Sequence, residues 1–106
     1  MAVEAPAAPY GLHVSSVTGN LVTLHWNAPG GMSPTGYVVE GGGVPGASDG
    51  SVVIGDGRLM TTLTVPDGAY YAHVHAMSSG VMSAPSNEVR LLINMAAPPS
   101  APEGLL

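Results

Sequence analysis

Apolar and polar side chains alternate with a period of two along much of the chain, and turn residues interrupt this alternation at short intervals. Val22, Leu24 and Trp26, for example, are separated by single polar residues. Such a period is typical of β-strands that bury one face. The pattern predicts seven strands, at residues 12–17, 22–26, 37–40, 51–54, 61–65, 70–76 and 89–93.

Glycine, proline and aspartate mark the connections between the predicted strands. Thr18-Gly19-Asn20 predicts a hairpin between the first two strands, and Pro66-Asp67-Gly68 ends the fifth. All ten prolines fall outside the strands, as a sheet requires, because proline cannot donate to the hydrogen-bond ladder. Short strands separated by frequent turns predict an all-β domain, a seven-stranded antiparallel β-sandwich of the immunoglobulin-like type.

The apolar faces of the two predicted sheets are expected to form one core. Trp26 and Tyr70 are expected to contribute most to it, since the chain has five aromatic side chains and no phenylalanine. The residues predicted to build the core are Leu24, Trp26, Tyr37, Tyr70 and Val74. Replacing Trp26 with alanine is expected to cost about 3–5 kcal/mol of stability.

The composition narrows the class of protein further. Fifteen glycines and ten prolines in 106 residues exclude a helical bundle, while 45% hydrophobic residues and a mean hydropathy of +0.30 are too apolar for a disordered chain. A net charge of −5 with only two arginines excludes nucleic-acid binding. No apolar run reaches the roughly 18 residues of a membrane-spanning helix. We therefore expect one domain whose partners are neither nucleic acids nor membranes, and without cysteine it has no thiolate chemistry.

Several segments, in this order and at these separations, resemble the fibronectin type III family, and its bacterial members in particular. The segments are Pro9–Val14, Val22–Trp26, Gly36–Glu40, Val65–Ala76 and Ser83–Val89. The resemblance covers about residues 9–93 and implies the fibronectin type III topology. It also implies that the hydroxyl of Tyr70 folds back onto the preceding loop. Gly41 departs from the family pattern, because a larger residue often packs at that position.

The two ends of the chain carry a similar motif. Residues 6–12 and 99–105 both read P-x-x-P-x-G-L, and the two copies are 93 residues apart, which is the length of one domain. We therefore expect a Pro/Ala-rich linker at 1–8, a fibronectin type III-like domain at 9–94, and a second linker with the start of a next repeat at 95–106. The alternative is a chance similarity between two linkers.

His73 and His75 are the candidates for metal binding. His73 and His75 are two residues apart on one predicted strand, so both side chains leave the same, outer face. Two imidazoles can hold a metal ion weakly, but a stable zinc site needs three or four ligands. We favour the interpretation that both are ordinary outward residues and that the chain binds no metal and no cofactor. His13 and His25 belong to the opposite sheet and are not expected to join them.

The acidic residues and serines give little indication of catalysis. Asp49, Asp56 and Asp67 each precede a glycine, which favours tight turns over a calcium site. The serines lie in linkers and loops without a G-x-S-x-G context, and no pair of carboxylates is expected to face one cleft. We do not expect an enzyme.

Met32, Met77 and Met82 lie in or beside two loops that meet at one end of the sandwich in the family. They predict either an adaptable apolar surface for a protein partner or methionines that fill gaps in loops. Because no site for chemistry emerges, we expect a monomeric, non-catalytic spacer between neighbouring domains of a larger bacterial protein. This protein is expected to be secreted or exposed at the cell surface, for example a polysaccharide-degrading enzyme. An adhesion or partner-binding module is the alternative, and a carbohydrate-binding accessory domain comes third.

Overall fold

The computed structural model of the chain describes residues 5–31 and 33–95, and those residues form eight β-strands. The strands are β1 (Tyr10–Thr18), β2 (Leu21–Asn27), β3 (Gly36–Gly42), β4 (Gly50–Ile54), β5 (Met60–Thr64), β6 (Gly68–Ser78), β7 (Val81–Met82) and β8 (Val89–Ile93). The alternation predicts all of them except β7, whose two residues are too few to show a period. None of the described residues belongs to a helix that could cross a membrane.

The strands pair into two antiparallel sheets. One has three strands in the order β1-β2-β5, and the other has five, with β4-β3-β6-β7 side by side and β8 also paired with β6. Strands β7 and β8 therefore lie along the same edge of β6, at its two ends. The predicted fold class, an antiparallel immunoglobulin-like sandwich, is confirmed.

The core lies between the two sheets. Its fully buried members alternate along the strands, and they are Leu12, Val22, Leu24, Trp26, Tyr37, Val39, Ile54, Ala72, Val74, Ala76, Leu91 and Ile93. The indole of Trp26 packs edge-on against Tyr37, with ring centroids 5.3 Å apart. Tyr70 is only partly buried, and its hydroxyl donates a hydrogen bond to the carbonyl of Asp67 at 3.1 Å. The aromatic pair in the centre is thus Trp26 with Tyr37, and the indole Nε1 of Trp26 is buried with no hydrogen-bond partner in the described part of the chain.

Two local features differ from simple alternation. The register between β1 and β2 shifts between Val14 and Ser16, which breaks the alternation and places Val17 opposite the buried Val22, yet Val17 itself is 43% exposed. Gly41 stands opposite Ala72, so close to β6 that a Cβ atom would come within 2.6 Å of the carbonyl oxygen of Tyr71. A larger residue does not fit there, which explains the departure from the family pattern.

The described ends of the domain lie at opposite ends of the sandwich. Tyr10, at the start of β1, pairs with Asn27 at one end of the first hairpin. Asn94 follows β8 and donates to Asn20 in the turn at the other end of that hairpin, and also to Asp67. Met32, the first half of the N-terminal linker and nearly all of the C-terminal linker, with its motif at 99–105, lie outside the described residues.

Candidate histidine–carboxylate site

Three chemically active side chains meet on the outer face of the five-stranded sheet. Strand β3 pairs with β6 so that Glu40 stands directly opposite His73, and Val38 stands opposite His75. Residues two apart on a strand leave the same face, and directly opposed residues also share a face. The register therefore brings Glu40, His73 and His75 together on the side of the sheet that faces away from the core.

A single carboxylate oxygen is the centre of this cluster. Oε1 of Glu40 lies 3.0 Å from Nε2 of His73 and 2.9 Å from Nε2 of His75. The hydroxyl of Ser48 donates to the same oxygen at 3.3 Å. The two imidazole rings pack edge-on with centroids 5.1 Å apart. The donor atoms of Glu40, His73 and His75 all lie within 4.8 Å of one another. Among residues 5–31 and 33–95, no other three histidine, cysteine or acidic side chains meet this condition.

The segment between β7 and β8 covers this part of the outer face. Pro85 lies in the segment and cannot donate to a ladder, and two serine hydroxyls take over part of the pairing with β6. Oγ of Ser83 accepts from the backbone N–H of Ala76 at 2.8 Å, and Oγ of Ser86 accepts from that of Val74 at 3.0 Å. The same segment places the carbonyl of Ser83 where Nδ1 of His75 donates to it at 2.8 Å.

The prediction that His73 and His75 are ordinary outward residues is therefore only half right. Both point away from the core, but the side chain of His73 is 8% exposed and that of His75 is 13% exposed. Both side chains are buried because the segment between β7 and β8 lies over them. This segment is not a strand, so its sequence shows no alternation that would predict the burial. A histidine on the outer face of a sheet is buried when a neighbouring loop lies over it.

The electrostatics favour an ionised carboxylate. Burial raises the pKa of Glu40, but the hydrogen bonds from His73 and His75 outweigh it, and the net pKa lies below its usual value. The cluster opens to solvent through a shallow depression that Glu40 and Glu88 line, while neither arginine of the chain does. Oε2 of Glu88 accepts from the backbone N–H of Gly46, which fastens the β3–β4 loop at the rim.

The other histidines form a separate pair. His13 on β1 stands opposite His25 on β2, with ring centroids 5.7 Å apart, on the three-stranded sheet. Nδ1 of His13 bonds to the carbonyl of Gly11 at 2.9 Å, and neither ring is paired with a carboxylate among the described residues. As the sequence predicts, this pair does not join His73 and His75.

The remaining predicted positions are dispersed over the molecule. Met77 and Met82 are cross-strand partners on β6 and β7, and Met82 is 39% exposed. The amide and hydroxyl of Thr35 both donate to the carbonyl of Met77, so the β2–β3 loop does reach this end. Asp56 is paired with Arg58, whereas Asp67 accepts hydrogen bonds from two asparagines elsewhere.

Sequence reasoning missed Glu40 as a member of the site. It placed this residue at the end of the third strand but gave no indication of which strand lies beside it. His73 is 33 residues further along the chain, and only the pairing of β3 with β6 makes the two neighbours. One signal would have identified Glu40. It is an acidic residue at an outer position of the third strand, and that strand lies beside the one that carries two outward histidines.

Known structures share this fold, although no family model and no curated protein matches the sequence. The chicken CNTN1 FN1–FN3 domains superpose with a TM-score of 0.73 at 18% identity, over 87% of this chain and 33% of that one. This chain thus spans about a third of that structure, and the likeness concerns the fold. An Fn3-like protein from Clostridium thermocellum is 30% identical over 89% of this chain and 99% of its own, with a TM-score of 0.70. The chain belongs to the fibronectin type III family.

Other fibronectin type III domains of this shape occur inside longer chains. The twitchin kinase region from C. elegans (Fn31-NL-kin-CRD-Ig26) matches 85% of this chain and only 17% of its own, at 23% identity and a TM-score of 0.71. Domains of this family therefore serve as units of larger multidomain proteins.

Proposed function

We propose that this fibronectin type III domain is a non-catalytic spacer in a larger bacterial protein that is secreted or exposed at the cell surface. In this role the domain holds its neighbours apart at a fixed distance and does no chemistry on a substrate. The observation that carries the proposal is the position of the two ends of the domain at opposite ends of the sandwich.

The separation of the ends follows from the strands. β1 has nine residues, and at a rise of about 3.4 Å per residue it spans about 27 Å. The chain enters at Tyr10 and leaves beyond Asn94, which is bonded to the turn at the far end of β1. A domain with this arrangement adds its full length to the distance between whatever is attached on either side.

Three further observations support the proposal. The structural relatives include domains of multidomain chains, and the relative from Clostridium thermocellum is a bacterial protein. The motif P-x-x-P-x-G-L recurs one domain length along the sequence. In the first copy Gly11 has a φ of 66° and Leu12 enters the core, so the motif has a structural role that a second domain would need again.

The proposal is tested by placing the full chain between a donor and an acceptor fluorescent domain. We expect one narrow distribution of energy-transfer efficiency, because the sandwich fixes the distance between its ends. The matched control is a glycine/serine linker with the same number of residues, which gives a broad distribution. An equally broad distribution for the folded chain would contradict a spacer role, whereas broadening only above the unfolding midpoint in urea would support it.

A partner-binding or adhesion role at the end that carries Met77 and Met82 is the alternative. It is supported by the exposure of Met82 and by the contact of Thr35 with Met77. Binding of the chain to insoluble glycans and to host proteins distinguishes the two roles. Saturable binding that is lost in Met82→Thr would favour the alternative, and the absence of binding would favour the spacer.

A further inference from the structure

We propose that Glu40, His73 and His75 bind a divalent transition-metal ion, and that Zn²⁺ is the ion that fits best. The cluster offers two imidazole nitrogens and one carboxylate oxygen, all within 4.8 Å of one another. These are the donors that zinc takes in proteins when three ligands come from the chain. The fourth position faces the depression, from which water or an added ligand can reach it.

The spacing of the donor atoms fits such an ion after a small adjustment. Tetrahedral zinc holds nitrogen and oxygen ligands at about 2.0–2.1 Å, which places neighbouring ligand atoms about 3.3 Å apart. The two Nε2 atoms lie 3.0 and 2.9 Å from Oε1 of Glu40. Each of these two nitrogen–oxygen pairs therefore has to move apart by only a few tenths of an ångström to reach that spacing, and the two nitrogens lie within 4.8 Å of each other.

The orientation of His75 provides independent support. Nδ1 of its ring faces the carbonyl of Ser83, which can only accept, so Nδ1 must carry the proton. The hydrogen bond from Nε2 to Glu40 then forms only when the ring also carries a proton on Nε2, whereas the neutral ring presents a lone pair there to a carboxylate oxygen that can only accept. A cation between the two satisfies both. A histidine that donates one nitrogen to a backbone carbonyl is also the common arrangement of metal ligands.

The surroundings favour a cation. The chain carries a net charge of −5, and the depression contains a second carboxylate, that of Glu88, near the rim. Calcium and magnesium are a poor fit, because these ions prefer sites made of oxygen ligands alone and this cluster has two nitrogens. Imidazole nitrogens suit zinc, copper and nickel instead.

The first experiment needs no variant. The four histidines of the chain, labelled with ¹⁵N, are followed by NMR while ZnCl₂ is added to the full chain. We expect saturable shifts of the Nε2 resonances of His73 and His75 at one equivalent of Zn²⁺, and no shift of His13 and His25 at that point. An excess of Mg²⁺ should not reverse them. Equal shifts of all four histidines, or none that saturate, would overturn the proposal and leave the cluster as an ion pair only.

The second experiment measures affinity by calorimetry. Glu40→Gln and His75→Gln should each weaken Zn²⁺ binding by at least about 100-fold. Removing a residue that only hydrogen-bonds to a ligand costs up to about 100-fold in affinity, and removing the ligand itself should cost at least as much. The matched control is the double variant His13→Gln, His25→Gln, which should bind within about twofold of the original chain. Circular dichroism identifies any variant that has lost its fold. Folded Glu40→Gln with undiminished affinity would overturn the proposal.

The third measurement is thermal unfolding. Zn²⁺ that binds only the folded chain must raise its melting temperature, by at least about 5 °C at a concentration 100 times the dissociation constant. The rise should persist in the His13→Gln, His25→Gln control and disappear in Glu40→Gln. A rise in melting temperature of equal size in the His13→Gln, His25→Gln control and in Glu40→Gln would show that Zn²⁺ binds elsewhere and would contradict the assignment.

Discussion

The outer faces of the two sheets each carry a pair of neighbouring histidines, but the two pairs have different surroundings. On the three-stranded sheet His13 and His25 face each other across β1 and β2, and His13 is exposed. On the five-stranded sheet His73 and His75 follow one another along β6, close to the carboxylate of Glu40 and beneath the β7–β8 segment. The residue type and the proximity of the rings are similar in both places.

The comparison shows that burial and a carboxylate, more than the histidines themselves, make a site. A ring exposed on a sheet exchanges its hydrogen bonds with water at little cost. A buried ring must satisfy its nitrogens within the protein, because an unsatisfied buried polar group costs about 1–3 kcal/mol. His75 does so through Glu40 and Ser83, which fixes its position and orientation. The two faces should therefore respond very differently to substitution.

The largest difference is expected for the carboxylate. Glu40→Gln removes the carboxylate that contacts two buried imidazole rings, and we expect the free energy of unfolding to fall by about 3 kcal/mol. This value lies between the loss of one charged hydrogen bond and the loss of one partner of a buried ion pair. Urea denaturation at pH 7 measures it. The double variant His13→Gln, His25→Gln should change stability by less than about 0.5 kcal/mol, because His13 is exposed, His25 is half-buried and neither is paired with a carboxylate among the described residues. Equal losses on the two faces would contradict the comparison.

A smaller difference is expected for the serines that flank the two pairs. Ser86→Ala leaves the backbone N–H of Val74 without its acceptor in a buried position, so we expect a loss of about 1–2 kcal/mol. On the other sheet Ser15 makes an exposed hydrogen bond of 3.3 Å to the carbonyl of Thr23, and Ser15→Ala should have almost no effect. The midpoints of urea unfolding of the two variants, measured together, give the difference. If Ser15→Ala lowers the free energy of unfolding as much as Ser86→Ala does, the segment between β7 and β8 is not the cause of the difference between the two faces.

The smallest effect concerns a carboxylate outside both faces. Hydrogen bonds from Asn94 and Asn20 hold the pKa of Asp67 below its usual value. The unfolded chain therefore binds this proton more tightly, so Asp67 stabilises the fold above about pH 4 and the contribution disappears as the pH falls through its pKa in the folded state. Asp67→Asn should flatten the acid side of the stability profile, measured by urea unfolding between pH 6 and pH 2.

Asn94→Ala is the companion variant for this measurement. It removes the 2.7 Å hydrogen bond to Oδ1 of Asp67 and should produce a weaker flattening of the same kind. Parallel acid profiles for the original chain and Asp67→Asn would show that this carboxylate does not contribute.

The fold could be predicted from the sequence because its determinants are local. Alternation at positions such as Val22, Leu24 and Trp26 needs only one buried face, and glycine, proline and aspartate mark the turns. The pattern fails where a local rule is broken by a neighbour. The register shift in β1 breaks its alternation between Val14 and Val17, and β7 exists only because two residues reach the edge of β6.

The site could be predicted only in part, because it depends on contacts that are far apart in sequence. The spacing of His73 and His75 shows that both leave one face, and this much is local. Their burial depends on Ser83 and Ser86, whose hydroxyls replace backbone partners, and their carboxylate comes from another strand. Strand pairing and loop coverage are decided by the whole fold, so no window of sequence contains them.

The indole of Trp26, whose N–H has no hydrogen-bond partner among residues 5–31 and 33–95, also makes the domain easy to observe. This tryptophan, the single one in the chain, lies in an apolar environment against Tyr37. Its fluorescence should therefore be emitted at short wavelength in the folded state and move to longer wavelength when water reaches the ring. Since the chain has no cysteine to protect and needs no added dye, unfolding can be followed by light emission from its own centre.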